Sequence, residues 1–483
     1  MLVKKLILAL FLSVGICAVG VQTDVYASEP TVQEDGAAGN DGEIRKEYVD
    51  LSDSVIQEGG FPKAESTSRK SRSAVDSGKE KEVQKVLLEA WDSFAESCDL
   101  SSYGLEASEL ITIYFGTLNT YPRYFYVKSS ISYSRDEAGI VEEIDIEYKS
   151  EAGQLLEGYD RVIANVVKNV DKSWSDMEKA LYVNDYLARN CQYDAEAPNA
   201  HSSYGALVDK KAVCQGYALA FLELTRQLDV TCEMVTSKSV NHAWNMIKIG
   251  NSYYHVDVTW NDPLEDRLGR ARHFYFMKST EFFKSPPKDG SHYKENDWVV
   301  SGSVSASAAS SVLYDSYFWN DIDVGFDYVG DSWYGFNGTD AICQYTWNGQ
   351  AFSATAQVRE IKEPWTTADG KLNYKKKYVG TGTYGGEYYY SDSTAIYKLD
   401  INTKERETVF QLTDAQMKTG RIYAINMTPS GDIQYLFSAT PNESGTVYTV
   451  DPLTGEVKPN LYNIHFDGNG ATGGSMKDMK LLT

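Results

Sequence analysis

Apolar positions fall into three regimes along the 483 residues. Between 82 and 300 they recur at helical and strand spacings in turn. Val83, Val86, Leu87, Ala90 and Trp91 make one helical stripe. Ile140, Ile144, Ile146 and Tyr148 alternate and predict a strand over 140–148, with a second strand over Tyr124–Val127. Residues 82–150 therefore read as a small α+β domain. Ser175-Asp176-Met177-Glu178 is a capping box that opens a helix through Ala180, Val183, Tyr186 and Leu187. Tyr217, Phe221, Leu224 and Leu228 predict a buried helix face that starts near Cys214. Asn241–Ile249 and Ser252–Trp260 are rich in β-branched and aromatic residues around Gly250-Asn251, the signal of a hairpin. His273–Met277 reads as a further strand. Helices followed by antiparallel strands predict an α+β domain over 151–300.

From about 311 helical periodicity nearly vanishes, and aromatics, Gly, Thr, Asn and Asp dominate. Segments starting at Ala341, Ala395 and Thr446 match one another, at steps of 54 and 51 residues. Such periods suit an all-β repeat region over 311–460, either propeller-like or an open β array. A β-sandwich is the other arrangement this pattern permits, because three to four units barely close a ring. The N-terminal regime differs again. Lys4 and Lys5 precede the apolar run Leu6–Val21, and Val25-Tyr26-Ala27 offers a cleavage site before Ser28. This predicts a signal peptide over 1–27 and a secreted or cell-surface protein. Residues 28–81 are mostly polar and lack periodicity, as expected of a disordered linker.

Composition narrows the partners. The net charge is −22 and the basic residues form no stripe, which argues against nucleic acid. Six histidines occur, none at ligand spacing from a cysteine, so neither a metal nor another cofactor is expected. Beyond the predicted signal peptide lie Cys98, Cys191, Cys214, Cys232 and Cys343. An odd count in an exported chain leaves at least one thiol, and Cys214 is the natural candidate. No obligatory disulfide is expected, and a Cys191–Cys232 bridge is the pairing left open.

Cys214 is where chemistry concentrates. A helix N-terminus favours thiolate over thiol, and the thiolate is the attacking species. By position alone a small packed cysteine is the commoner case. The hairpin changes that balance. With Gly250-Asn251 as its turn, His242 and Asp257 share a face, one diagonal step apart. A carboxylate on one ring nitrogen fixes the imidazole tautomer and leaves the other nitrogen for a thiol proton.

Three linked stretches carry a family resemblance. Tyr204-Gly205-Ala206-Leu207-Val208 with Ala212-Val213-Cys214-Gln215-Gly216-Tyr217-Ala218 resembles the nucleophile region of the transglutaminase-like superfamily. Asn241-His242-Ala243-Trp244-Asn245 resembles its histidine strand, and Tyr254-His255-Val256-Asp257-Val258-Thr259-Trp260 its aspartate strand. The resemblance implies a papain-like core over 151–300, with Cys214 as nucleophile, His242 as base and Asp257 as orienting acid. It also implies a peptidase, deamidase or protein cross-linking activity. Expected substrates are extracellular proteins or cell-wall peptide, and the β region is expected to bind glycan or protein. The rival expectation is a non-catalytic surface scaffold, with an inactive thiol domain and adhesive β-repeats. Residues 461–483, from Tyr462-Asn463-Ile464-His465-Phe466-Asp467 onward, resemble the start of a repeat found in Listeria and Bacteroides surface proteins.

Overall fold

The structure is a computed structural model that describes residues 46–50, 77–263, 267–285, 297–302, 304–441, 445–458, 461–464 and 479–482. The predicted signal peptide lies outside the described residues, as does most of 28–81 and of 461–483. Among the described residues no helix is long and apolar enough to cross a membrane.

The first unit comprises β1 (Lys46–Asp50), α1 (Ser77–Asp92), β2 (Ser97–Asp99), β3 (Leu105–Glu106), α2 (Ala107–Thr120), β4 (Val127–Arg135) and β5 (Ile140–Tyr148). Its antiparallel sheet runs β1–β4–β5–β2, with β3 also on β5. Val83, Leu87 and Trp91 of α1 pack with Leu110 and Tyr114 of α2 over Ile131, Val141 and Ile144. Three expectations change here. Lys46–Asp50, inside the segment read as a linker, pairs with β4. The chain at Pro122–Tyr124 is a 3-10 turn, and the strand begins only at Val127. On β5, Val141 rather than Ile140 is buried, because the register slips between Ser134 and Arg135 opposite it.

The thiol unit follows: α3 (Ala152–Val167), α4 (Asp176–Asn190), β6 (Gln192–Tyr193), β7 (Lys211–Ala212), α5 (Cys214–Gln227), β8 (Cys232–Ser237), β9 (His242–Ile249), β10 (Ser252–Val256), α6 (Val258–Asn261), α7 (Thr280–Lys284) and β11 (Val299–Val300). The sheet runs β10–β9–β8–β11, all antiparallel. Ser175 caps α4 as its sequence predicts, accepting from the Glu178 N–H while Glu178 accepts from Ser175. Helix α5 is buried on every side from Gln215 to Thr225. It packs on β9, where Asn245 Nδ2 donates to the Ala218 carbonyl at 3.0 Å. Residues 273–277 are not a strand. They form a turn between two apolar clusters, with Tyr275, Phe276 and Met277 all buried. Their apolar run reflects two-sided burial rather than a ladder.

The remaining chain is β. One sheet holds β12 (Asp327–Val329), β13 (Ser332–Phe336), β14 (Ala341–Trp347) and β15 (Phe352–Glu360). After the short pair β16 (Trp365–Thr366) and β17 (Asn373–Tyr374) comes β18 (Thr381–Tyr384), β19 (Glu387–Ser391), β20 (Ala395–Leu399) and β21 (Arg406–Gln411). The turn α8 (Asp414–Met417) leads to β22 (Arg421–Met427), β23 (Ile433–Ser438), β24 (Thr446–Val450) and β25 (Val457–Lys458). A last hairpin pairs β26 (Leu461–Ile464) with β27 (Met479–Leu482). The three matching segments of sequence begin β14, β20 and β24, each the third strand of a four-stranded antiparallel meander. Neighbouring sheets meet through their first strands, β12 to β18 and β18 to β22. The array is open, without a closed barrel among the described strands.

The array and the thiol unit share one core. A single cluster joins Met177, Tyr217 and Phe276 to Trp319, Phe326, Trp333 and Tyr423. Two arginines of the thiol unit reach where the sheets converge. Arg189 of α4 pairs with Asp327 of β12 at 2.7 Å, and Thr381 of β18 donates to the same carboxylate. Arg270 donates to the carbonyls of Val379 and Tyr423 at 3.1 and 2.5 Å. Gly269 beside it has φ +66°, and a Cβ there would sit 1.9 Å from the Ile425 carbonyl oxygen. The backbones touch too closely for any side chain.

Candidate active site

Cys214 is the first residue of α5, and Val213 before it is extended. The amides of the first helical turn have no intrahelical acceptor and carry the positive end of the helix dipole. What fixes this turn is its fit to the loop before it. Val213 N–H donates to the Ala200 carbonyl at 3.0 Å. A Cβ on Gly216 would lie 2.4 Å from that same oxygen and 3.0 Å from the Ser202 carbonyl. Gly216 therefore lets the 200–202 backbone lie against the helix, two residues after the thiol. Gln215, buried, bonds His201 Nδ1 through Oε1 at 3.3 Å.

His242 opens β9 directly beside α5. Its Nε2 lies 2.6 Å from Asp257 Oδ2. The hairpin that brings them together has the expected register, with Ser252 opposite Ile249 across Gly250-Asn251 and Gly250 at φ +58°. Strand β10 ends sooner than the sequence suggests, at Val256. Asp257 instead caps the short turn α6, and its Oδ1 accepts from the Trp260 N–H at 3.2 Å. Its own N–H donates to the Tyr275 carbonyl at 2.9 Å. Asp257 is fully buried, and the His242 side chain is 12 % exposed. Trp244 stacks near the His242 ring and Trp260 meets it edge-on, at centroid distances of 5.9 and 6.4 Å.

The thiol completes the row. Cys214 Sγ is hydrogen-bonded to the His242 ring and to the Ala243 N–H. With Nε2 engaged by Asp257, Nδ1 is the nitrogen left for the thiol. Burial works to raise the Cys214 thiol, but the His242 charge, its hydrogen bond and the Ala243 N–H hold it below its ordinary value. Burial by itself would lower His242, but Asp257 and the thiol raise it to about 10. The other thiols go the opposite way. Burial pushes Cys98 up to about 11 and Cys232 up to about 12, and it raises Cys343 as well. None of the five described cysteines is in a disulfide. Among the described residues no group of three or more His, Cys, Asp or Glu is placed to hold a metal ion.

Cys214, His242 and Asp257 thus converge, each from the element or its edge that the sequence indicated. One neighbour carries no prediction from the sequence. Tyr193 ends β6, which pairs in parallel with β7 and sets Tyr193 opposite Ala212, two residues before the thiol. The side chain is 46 % exposed, and burial together with the Cys214 thiol pushes its hydroxyl upward. The short β6–β7 ladder carries no strand signal in the sequence, so this placement was not legible.

Residues 162–258, which hold this row of side chains, match the transglutaminase-like superfamily. A stretch of 186 residues, 30 % of the chain, is 23 % identical to the kyphoscoliosis peptidase of Mus musculus. The match spans 28 % of that relative's length. A candidate cysteine protease of known structure from Cytophaga hutchinsonii is 16 % identical, with 28 % of this chain and 63 % of that one covered and a TM-score of 0.19.

Proposed function

We propose that the protein is a secreted or cell-surface thiol enzyme that acts on amide bonds of extracellular protein or cell-wall peptide. The observation that supports this reading best is the row itself: a helix-terminal thiol on an imidazole whose far nitrogen meets a buried carboxylate at 2.6 Å. Cys214 is the nucleophile. Its sulfur adds to the carbonyl carbon, and the electron pair moves to oxygen. The Cys214 N–H and the Tyr193 hydroxyl are the proposed donors to that oxyanion. As the tetrahedral adduct collapses, imidazolium His242 gives its proton to the departing amine. A thioester remains. Water then attacks it, His242 takes the proton, and the acid leaves with the thiol restored. An amine in place of water yields a new amide by the same steps. Asp257 holds the imidazole in its tautomer and stabilises the imidazolium throughout. Peptide hydrolysis is the preferred outcome of this chemistry.

The test is site-resolved alkylation of Cys214 between pH 5 and 10, by mass spectrometry, in wild type and His242→Ala. The expected result is a wild-type thiol that reacts far below the ordinary thiol pKa of about 8.5, and a variant that does not. Peptide and amine substrates then separate hydrolysis from transfer. A Cys214 that titrates as an ordinary thiol and ignores His242 would sink the enzyme reading in favour of a binding scaffold.

A further inference from the structure

Behind the thiol row lies a second set of polar side chains that none of the proposed steps uses. Asn184 and Asp185 of α4, Asn261 of α6 and His273 are at most 2 % exposed. They form a continuous chain. Tyr275, whose carbonyl holds the Asp257 N–H, donates its own N–H to Asn261 Oδ1 at 2.9 Å. Asn261 Nδ2 donates to Asn184 Oδ1 at 2.8 Å. Asn184 Nδ2 donates to Asp185 Oδ1 at 2.9 Å and to the Arg272 carbonyl at 3.3 Å. Asp185 Oδ1 lies 2.8 Å from His273 Nε2, while Oδ2 accepts the N–H of Phe326 at 2.7 Å. The other His273 nitrogen faces the Ile322 carbonyl at 3.5 Å.

Phe326 and Ile322 sit where the β array begins, just before β12. The array therefore supplies backbone partners at one end of the chain, and Asp257 stands at the other. Groups buried this deeply hold one arrangement when all are satisfied and are costly when one is not. The 272–275 segment is gripped from both sides by Asn184 and Asn261, and it carries the carbonyl that places Asp257. We infer that Asp185, Asn184 and Asn261 are positioning residues through which the β array sets Asp257 against His242. The array is then a working part of the thiol site rather than a detachable adhesive module. This inference rests on the proposed Cys214–His242–Asp257 site.

The experiment is the same pH-resolved alkylation of Cys214 in the full chain, for wild type, Asn261→Ala, Asp185→Asn and the control Ile433→Val. Ile433 is a buried residue of the third sheet, outside the polar chain. Thermal melts run alongside. Asn261→Ala and Asp185→Asn are expected to lose about tenfold or more of the alkylation rate at pH 6, since one unit of thiol pKa is a tenfold change in thiolate. At pH 10, where an ordinary thiol of pKa about 8.5 is ionised, their rates stay close to wild type. Ile433→Val lowers the melting temperature without moving the profile. If Asn261→Ala does not fold, the near-isosteric Asp185→Asn decides the matter alone. Folded variants with a wild-type profile overturn the inference and leave the enzyme reading standing. An ordinary profile in the wild type sinks both.

Discussion

Two carboxylate–histidine pairs stand among the described residues, with nearly the same geometry and different surroundings. His242 meets Asp257 at 2.6 Å, and His273 meets Asp185 at 2.8 Å. In both, the carboxylate comes from a turn or helix and the ring from a segment packed against it. At the first pair the other ring nitrogen faces a thiol, and the ring is partly exposed. At the second it faces a backbone carbonyl, and the array seals it completely. Burial works to raise Asp185, while His273, Arg189 and Asn184 bring it below its ordinary value. The second pair is thus a structural joint. A carboxylate beside an imidazole is only a preparation; the third group and the opening to solvent decide whether it does chemistry.

The largest test of that contrast exchanges loss of function for loss of fold. Cys214→Ser is expected to lower turnover by about 10⁴-fold or more with little change in melting temperature, measured on a peptide substrate. Asp185→Ala at the sealed pair is expected to cost about 3–5 kcal/mol in denaturant unfolding, because it leaves a buried partner uncompensated. A smaller effect comes from the helix start. Gly216→Ala forces a Cβ against the Ala200 carbonyl and is expected to cost about 1–3 kcal/mol. Faster alkylation or proteolysis around 200–202 would show the loop displaced.

The finest distinction is in pH. His242 is raised in the folded state, so its contribution to stability is whole below about 6.5 and is lost as pH rises through about 10. The alkaline limb of kcat/KM is expected near the same value, and Asp257→Asn moves it down. His255, two residues before Asp257, provides the mirror image. Its Nδ1 accepts from Trp244 Nε1 at 3.0 Å and its Nε2 meets Thr280 Oγ1 at 3.1 Å. Burial lowers it to about 3, because the charged ring would lose its solvation. Its contribution is whole above about 6.5 and is lost as pH falls through about 3. Melting curves from pH 3 to 10 should therefore fall at both ends, with His242→Gln flattening the alkaline side alone.

The site was legible because its geometry is local. A two-residue turn fixes which side chains of a hairpin share a face, and a nucleophile at a helix start needs only the apolar stripe behind it. Helix α2 was missed because Ile111, Thr112, Ile113, Tyr114 and Phe115 favour a strand, and tertiary packing against α1 overrides them. Asp257 carries a signal that the strand reading obscured: it is a good cap, and the backbone turns helical directly after it. The joint at Asp185 was not legible at all. A polar pair on an amphipathic helix reads as its wet face until the array that covers it is known. The shared core was hidden for the same reason, since aromatic strands look self-sufficient in one dimension.

Arg270 and Asp185 also set a schedule. Their partners Tyr423 and Phe326 arrive 153 and 141 residues later in the chain. At a synthesis rate of about 5–20 residues per second, the wait for Tyr423 after Arg270 is roughly 8–30 s. Cys214, His242 and Asp257 are made before Phe326, so until that residue emerges the polar chain behind them is unfinished. Contacts of such long sequence separation form slowly even in a complete chain. On the positioning proposed above, the thiol site would be complete only once the chain has been made through the start of the array.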